Sequence, residues 1–63
     1  MRQVPHNQVY NRADHSERHP VGCPWVFEAG VDDSFFATED EACTAQRDWR
    51  RANGLDEMTG EPT

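Results

Sequence analysis

The chain has 63 residues, with twelve Asp and Glu against six Arg and no Lys, and its formal net charge is -6. Only 35% of the residues are hydrophobic, so we expect one small domain with a core of roughly a dozen side chains. The negative charge disfavours binding to nucleic acid, because that binding depends on neutralising phosphates with Lys and Arg.

The small apolar content also bears on activity and location. A pocket for a small substrate typically encloses about 300 Å³ or more, and its walls would use most of the apolar residues, so we predict neither an enzyme nor a cofactor. The longest apolar run, Trp25 to Phe27, is far short of the roughly 20 residues that span a bilayer. The charged N-terminus lacks the apolar segment of a secretory signal. We therefore expect a cytoplasmic protein outside the membrane.

Composition divides the chain into three parts. Residues 1–20 are mostly polar and are expected to form an irregular N-terminal arm that either stays separate or adds a strand. Residues 21–54 contain both tryptophans, all three phenylalanines and both cysteines, and are predicted to form the core. Residues 55–63, LDEMTGEPT, have the acidic, Gly- and Pro-containing composition of a flexible tail.

The first half of the core has the pattern of a β-hairpin. Residues 24–29, PWVFEA, are rich in aromatic and β-branched types, which favour strands. Residues 30–33, GVDD, have turn composition, and the apolar pattern resumes at 34–37, SFFA. The pattern predicts two strands joined by a loop of about four residues, with Phe27 opposite Phe36.

A helix is predicted directly after the hairpin. Thr38 and Glu41 have the spacing of a capping box, so the helix should begin after Thr38. Gly54 is a suitable residue for its end. The helical spacing places four residues on one apolar face: Ala42, Ala45, Trp49 and Ala52. The expected fold is therefore α+β, a β-hairpin followed by one α-helix (ββα).

The adjacent Phe35 and Phe36 indicate that the sheet has two apolar faces, because neighbouring strand residues point to opposite sides. Phe36 would face the helix, and Phe35 would lie on the other side. That second face is either covered by the arm, paired across a homodimer, or presented to a partner protein. The candidate partner-binding residues are those on this face and at its rim: Tyr10, Val26, Asp32, Asp33 and Phe35.

Acidic residues cluster around the hairpin tip and the start of the helix: Asp32, Asp33, Glu39, Asp40 and Glu41. Such a cluster can meet a basic protein surface, or it can serve solubility alone. The three arginines near the end of the helix, Arg47, Arg50 and Arg51, are explained by its dipole.

A zinc site is an alternative that the spacing allows. His15, His19, Cys23 and Cys43 form a Cys2His2 set, which zinc accepts. However, Pro20 disfavours helical geometry at His19, and neither cysteine has a second cysteine at the short spacing typical of zinc folds. We therefore predict no metal site. A Cys23–Cys43 disulfide is a further alternative, but a reducing cytoplasm favours separate thiols.

The order of Trp25 and Phe27, a turn, Phe35-Phe36, the Thr38–Ala42 helix start and Trp49 resembles the hairpin-plus-helix arm-type modules of phage integrases. Those modules lay a basic sheet on DNA, whereas the surroundings of this hairpin are acidic, so their activity is not carried over. Size and composition also resemble the small accessory proteins of bacteriophages.

The expected function is that of a small acidic protein-binding module, of the phage accessory type, that modulates or inhibits a larger host protein. Self-association as a homodimer is the other partner that we expect. Two alternative functions remain: a zinc-stabilised structural domain and a nucleic-acid-binding module of the integrase-arm type. Metal analysis of the purified protein tests the first, and the salt dependence of DNA binding tests the second.

Overall fold

A computed structural model describes residues 4–62. Strand β1 (Asn7–Asn11) is followed by a 3-10 helix (Arg12–His15), strand β2 (Trp25–Ala29), strand β3 (Asp32–Phe36) and helix α1 (Glu39–Ala52). The strands form one antiparallel sheet in the order β1-β2-β3. The α+β class and the hairpin followed by one helix are confirmed.

Residues of the N-terminal arm supply the third strand of the sheet. Val9 pairs with Phe27, and Tyr10 pairs with Val26. The strand ends where the Asn11 side chain accepts hydrogen bonds from the backbone N–H groups of Ala13 and Asp14, which begins the 3-10 helix. The arm is therefore part of the sheet, although its sequence, NQVYN, contains only two large apolar residues.

The hairpin turn is shorter than the sequence suggests, and the expected four-residue loop is wrong. Only Gly30 and Val31 lie between the strands, because Asp32 already pairs with Ala29. Gly30 has a φ of +63°, and glycine at the first position of a two-residue turn fits type II′, whose twist matches that of the strands. The register moves by two residues, so Phe27 lies opposite Ser34. An even shift leaves every side chain on its expected face.

Helix α1 begins and ends where the capping signals predict. Thr38 is the N-cap, and its Oγ1 accepts a hydrogen bond of 3.3 Å from the backbone N–H of Glu41. The helix ends at Ala52, and Gly54 follows with a φ of +71°. That left-handed conformation is the one in which glycine terminates a helix.

Each face of the sheet has a buried residue on the central strand. On the face towards α1, Phe27 is buried and meets the Trp49 ring edge-to-face, with 6.1 Å between the ring centroids. Ala42 on α1 is also fully buried. On the opposite face, Val26 has no exposed surface. We call this side, turned away from α1, the outer face.

The segment after α1, which the sequence predicts to be a flexible tail, forms a turn against the helix. Leu55 is buried, its N–H donates to the Arg50 carbonyl at 2.8 Å, and it bridges to Pro62. Asp56 Oδ1 accepts hydrogen bonds from the backbone N–H groups of Met58 and Thr59, which lower the pKa of the Asp56 carboxyl.

The Arg50 side chain links this turn to the start of the sheet. Its Nε donates to Asn7 Oδ1 at 2.8 Å, and its Nη1 donates to the Glu57 carbonyl at 3.1 Å. Arg50 therefore joins the N-terminal strand, the helix and the final turn. Among residues 4–62, no helix has the length and apolarity needed to cross a bilayer.

Candidate functional site

The outer face holds most of the residues that the sequence indicates for partner binding. Tyr10, Val26 and Phe35 lie side by side on the three strands, since Val26 pairs with both of its neighbours. Val26 is fully buried, while Tyr10 and Phe35 are half-buried. The apolar surface on this face is therefore already largely covered.

Arg12, at the start of the 3-10 helix, covers this apolar surface. Its guanidinium carbon lies 5.0 Å from the centre of the Phe35 ring, a cation–π distance. Its Nη2 donates to Asp33 Oδ2 at 2.8 Å, and its Nε donates to the Tyr10 hydroxyl at 3.1 Å. Arg12 therefore connects three of the candidate partner-binding residues: Tyr10, Asp33 and Phe35.

Carboxylates complete the polar network over the outer face. The Tyr10 hydroxyl donates to Glu17 Oε2 at 3.0 Å. The pKa of Tyr10 is raised, first by the Glu28 carboxylate and then by burial, because both disfavour the phenolate. The chain's own residues therefore cover much of the apolar surface of the outer face. Asp32 and Asp33 remain exposed at its rim, and partner binding by these residues stays a prediction.

The structure does not bring the four alternative zinc ligands together. The His15 ring packs edge-to-face on Tyr10, with 5.6 Å between the ring centroids. His19 Nδ1 lies 3.0 Å from the Pro20 carbonyl oxygen. Cys23 and Cys43 are separate, half-buried thiols without a disulfide. Within residues 4–62, no group of three or more His, Cys, Asp and Glu side chains is placed to hold a metal ion.

A concave surface of the described chain is a groove between α1 and β3. Its volume is about 450 Å³. Phe36, the last residue of β3, lies on the sheet face towards α1 and contributes an aromatic ring to the groove. The helix contributes the rest of the lining: Asp40, Glu41, Thr44, Ala45 and Asp48. We call this surface the acidic groove.

The helical repeat explains why these residues share one side of α1. Asp40, Thr44 and Asp48 are spaced by four residues, and Glu41 and Ala45 repeat the same spacing beside them. Residues at this spacing lie above one another on a helix surface. Three of the five helical positions are carboxylates, so the wall of the groove is strongly negative.

Part of the negative charge of the groove is not compensated by a nearby cation. Asp48 forms an ion pair with Arg51, one turn further along the helix. Glu41 Oε1 accepts a hydrogen bond from the Thr38 hydroxyl, a neutral group. In the described part of the chain, the Asp40 side chain has neither an ion pair nor a hydrogen bond. The groove therefore offers an aromatic surface beside carboxylates that can accept further hydrogen bonds.

The sequence indicates the acidic residues at the start of the helix but not the acidic groove. The Asp40, Thr44 and Asp48 spacing was a signal that could have linked Asp48 to the acidic cluster. The sequence does not predict that Phe36 lies beside these helix residues, because its position relative to them depends on how α1 crosses the sheet.

Comparisons with known proteins do not assign this chain to a family. No protein-family model matches it, and no match is found among curated proteins or solved structures.

Proposed function

We propose that this protein is a small cytoplasmic protein-binding module, and not an enzyme, that docks through the acidic groove onto a basic segment of a larger protein and modulates it. The observation that carries this proposal is the aromatic ring of Phe36 beside Asp40, Glu41 and Asp48 in one open groove of about 450 Å³. The content of only two cysteines supports a reducing location, because small secreted domains usually carry more disulfides.

The chemistry of the groove favours a cationic side chain. Lys or Arg can lie over an aromatic face while its charge meets a carboxylate. The chain's net charge of -6 would also speed association with a basic surface, since complementary potentials steer the encounter. The same negative charge would repel the phosphate backbone of a nucleic acid. Two copies of the groove would likewise place carboxylates against carboxylates, so the partner is a different protein.

A peptide titration tests this proposal. The probe is a short peptide in which lysine and valine alternate, with acetylated and amidated ends, and binding is followed by amide chemical shifts of the isotope-labelled protein. We expect the largest shifts at Phe36, Thr44 and Ala45. Shifts confined to the outer face, or no binding, would overturn the proposal.

A matched pair of variants separates the groove from net charge. Asp40→Asn with Asp48→Asn removes two groove charges, whereas Asp14→Asn with Glu61→Gln removes two exposed charges elsewhere. Exposed charge pairs contribute about 0.2–1 kcal/mol each, so the loss of two should weaken binding of the groove variant by about twofold to thirtyfold. The control should change less than about twofold. An equal loss in both variants would mean that only overall charge attracts the peptide.

A further inference from the structure

Strand β3 forms one edge of the sheet, and the side of its backbone turned away from β2 is open. The order β1-β2-β3 gives it a single neighbour. Among residues 4–62, only β2 pairs with its backbone. An edge strand with unpaired N–H and C=O groups is a template for another extended segment.

The other edge of the sheet is different, because α1 contacts it. The Gln46 side chain donates to the Asn7 backbone carbonyl at 2.9 Å, and Arg50 donates to the Asn7 side chain. Helix side chains therefore bind the β1 edge where it passes under α1. At the β3 edge, the acidic groove lies between the helix and the strand.

The turn geometry identifies which backbone groups of β3 are open. In a two-residue hairpin, the pair next to the turn, Ala29 and Asp32, is hydrogen-bonded, and pairs alternate from there. The backbone groups of Asp32, Ser34 and Phe36 therefore point to β2. Those of Asp33 and Phe35 point to the open edge.

The side-chain alternation connects this edge to the acidic groove. Ser34 and Phe36 lie on the face towards α1, since they pair with Phe27 and Trp25. A strand added beside β3 would direct every second side chain to that same face, next to the groove lining. Ser34 is small and exposed, which leaves room for a long side chain to pass.

We propose that the basic partner segment binds as a fourth strand along β3, with alternate Lys or Arg side chains in the acidic groove and the intervening apolar residues beside Phe35. This inference rests on the proposed function and adds the binding mode. Charge selects the occupant, because β3 begins with the exposed Asp32 and the helix beside it is acidic. In an antiparallel pairing, a second copy of β3 would bring a second acidic groove to the same face of the extended sheet, whereas a basic extended segment compensates the carboxylates.

Hydrogen exchange at single amides tests the binding mode. The probe is the same peptide of alternating lysine and valine, added to saturation. The amide hydrogens of Asp33 and Phe35 should exchange at least tenfold more slowly in the complex, because they gain hydrogen-bond acceptors. The amide of the fully exposed Val21 serves as the reference and should not change. Unchanged exchange at both Asp33 and Phe35 would refute strand addition.

A backbone-methylated peptide gives a second, independent measurement. Methylation of every peptide amide nitrogen removes the donors that pair with β3 and leaves all lysine charges in place. The methylated peptide should bind at least tenfold more weakly than the parent. If it binds equally well and still shifts Phe36 and Thr44, the groove binds cations as proposed but strand addition is wrong. If the parent peptide itself leaves the groove unshifted, the proposed function fails first.

Discussion

Replacing the same residue type at a buried and at an exposed position tests whether the outer face is closed. Val26 in β2 has no exposed surface, whereas Val31 in the hairpin turn is 97% exposed. Both become alanine, so each variant loses the same two carbon atoms. The difference between the variants therefore measures the packing around Val26.

The expected cost at Val26 follows from transfer and cavity terms. Two buried carbons contribute about 1.6 kcal/mol at about 0.8 kcal/mol each. The cavity that remains adds roughly 1 kcal/mol if the neighbouring side chains relax only in part. The sum is about 2–3 kcal/mol, a large part of the roughly 3–9 kcal/mol expected for the unfolding of a domain of this size. Val31→Ala should stay within about 0.5 kcal/mol of the wild type.

Urea unfolding followed by far-ultraviolet circular dichroism measures both variants. With a slope of about 1 kcal/mol per molar urea, the midpoint for Val26→Ala should fall by about 2–3 M. A Val26→Ala variant that is too unstable to show a folded baseline would also agree with close packing. Equal midpoints for the two variants would show that Val26 is not closely packed on the outer face.

Four further substitutions test other contacts. Trp49→Ala removes the edge-to-face partner of a buried ring and should cost about 3–5 kcal/mol; a melting temperature near that of the wild type would contradict the packing of α1. Thr38→Ala removes the N-cap acceptor and should cost about 1 kcal/mol in urea unfolding, unless the helix begins elsewhere. Gly60→Ala should be more destabilising than Gly22→Ala, because both have positive φ but only a Cβ at Gly60 would meet the Arg50 guanidinium, 2.9 Å away. Equal melting temperatures for the two glycine variants would indicate that Arg50 moves aside at no cost.

The sequence predicts the elements whose formation depends on residues close to one another in the chain. Helix α1 is one, since its capping threonine, acidic first turn and terminal glycine act within a few residues of each end. The two strands of the hairpin are another, because aromatic and β-branched residues on either side of a Gly-containing turn favour that structure locally. Alternation also placed Phe35 and Phe36 on opposite faces despite the wrong loop length.

Tertiary structure decided what depends on residues far apart in the chain. The pairing of Val9 with Phe27 and the burial of Leu55 leave little local signal, because each segment contains few apolar residues and gains stability only on contact with the core. The coverage of Phe35 by Arg12 joins positions 23 residues apart, so no periodic pattern predicts it. The acidic groove exists only because α1 lies beside the open edge of β3, and that placement comes from packing between the helix and the sheet.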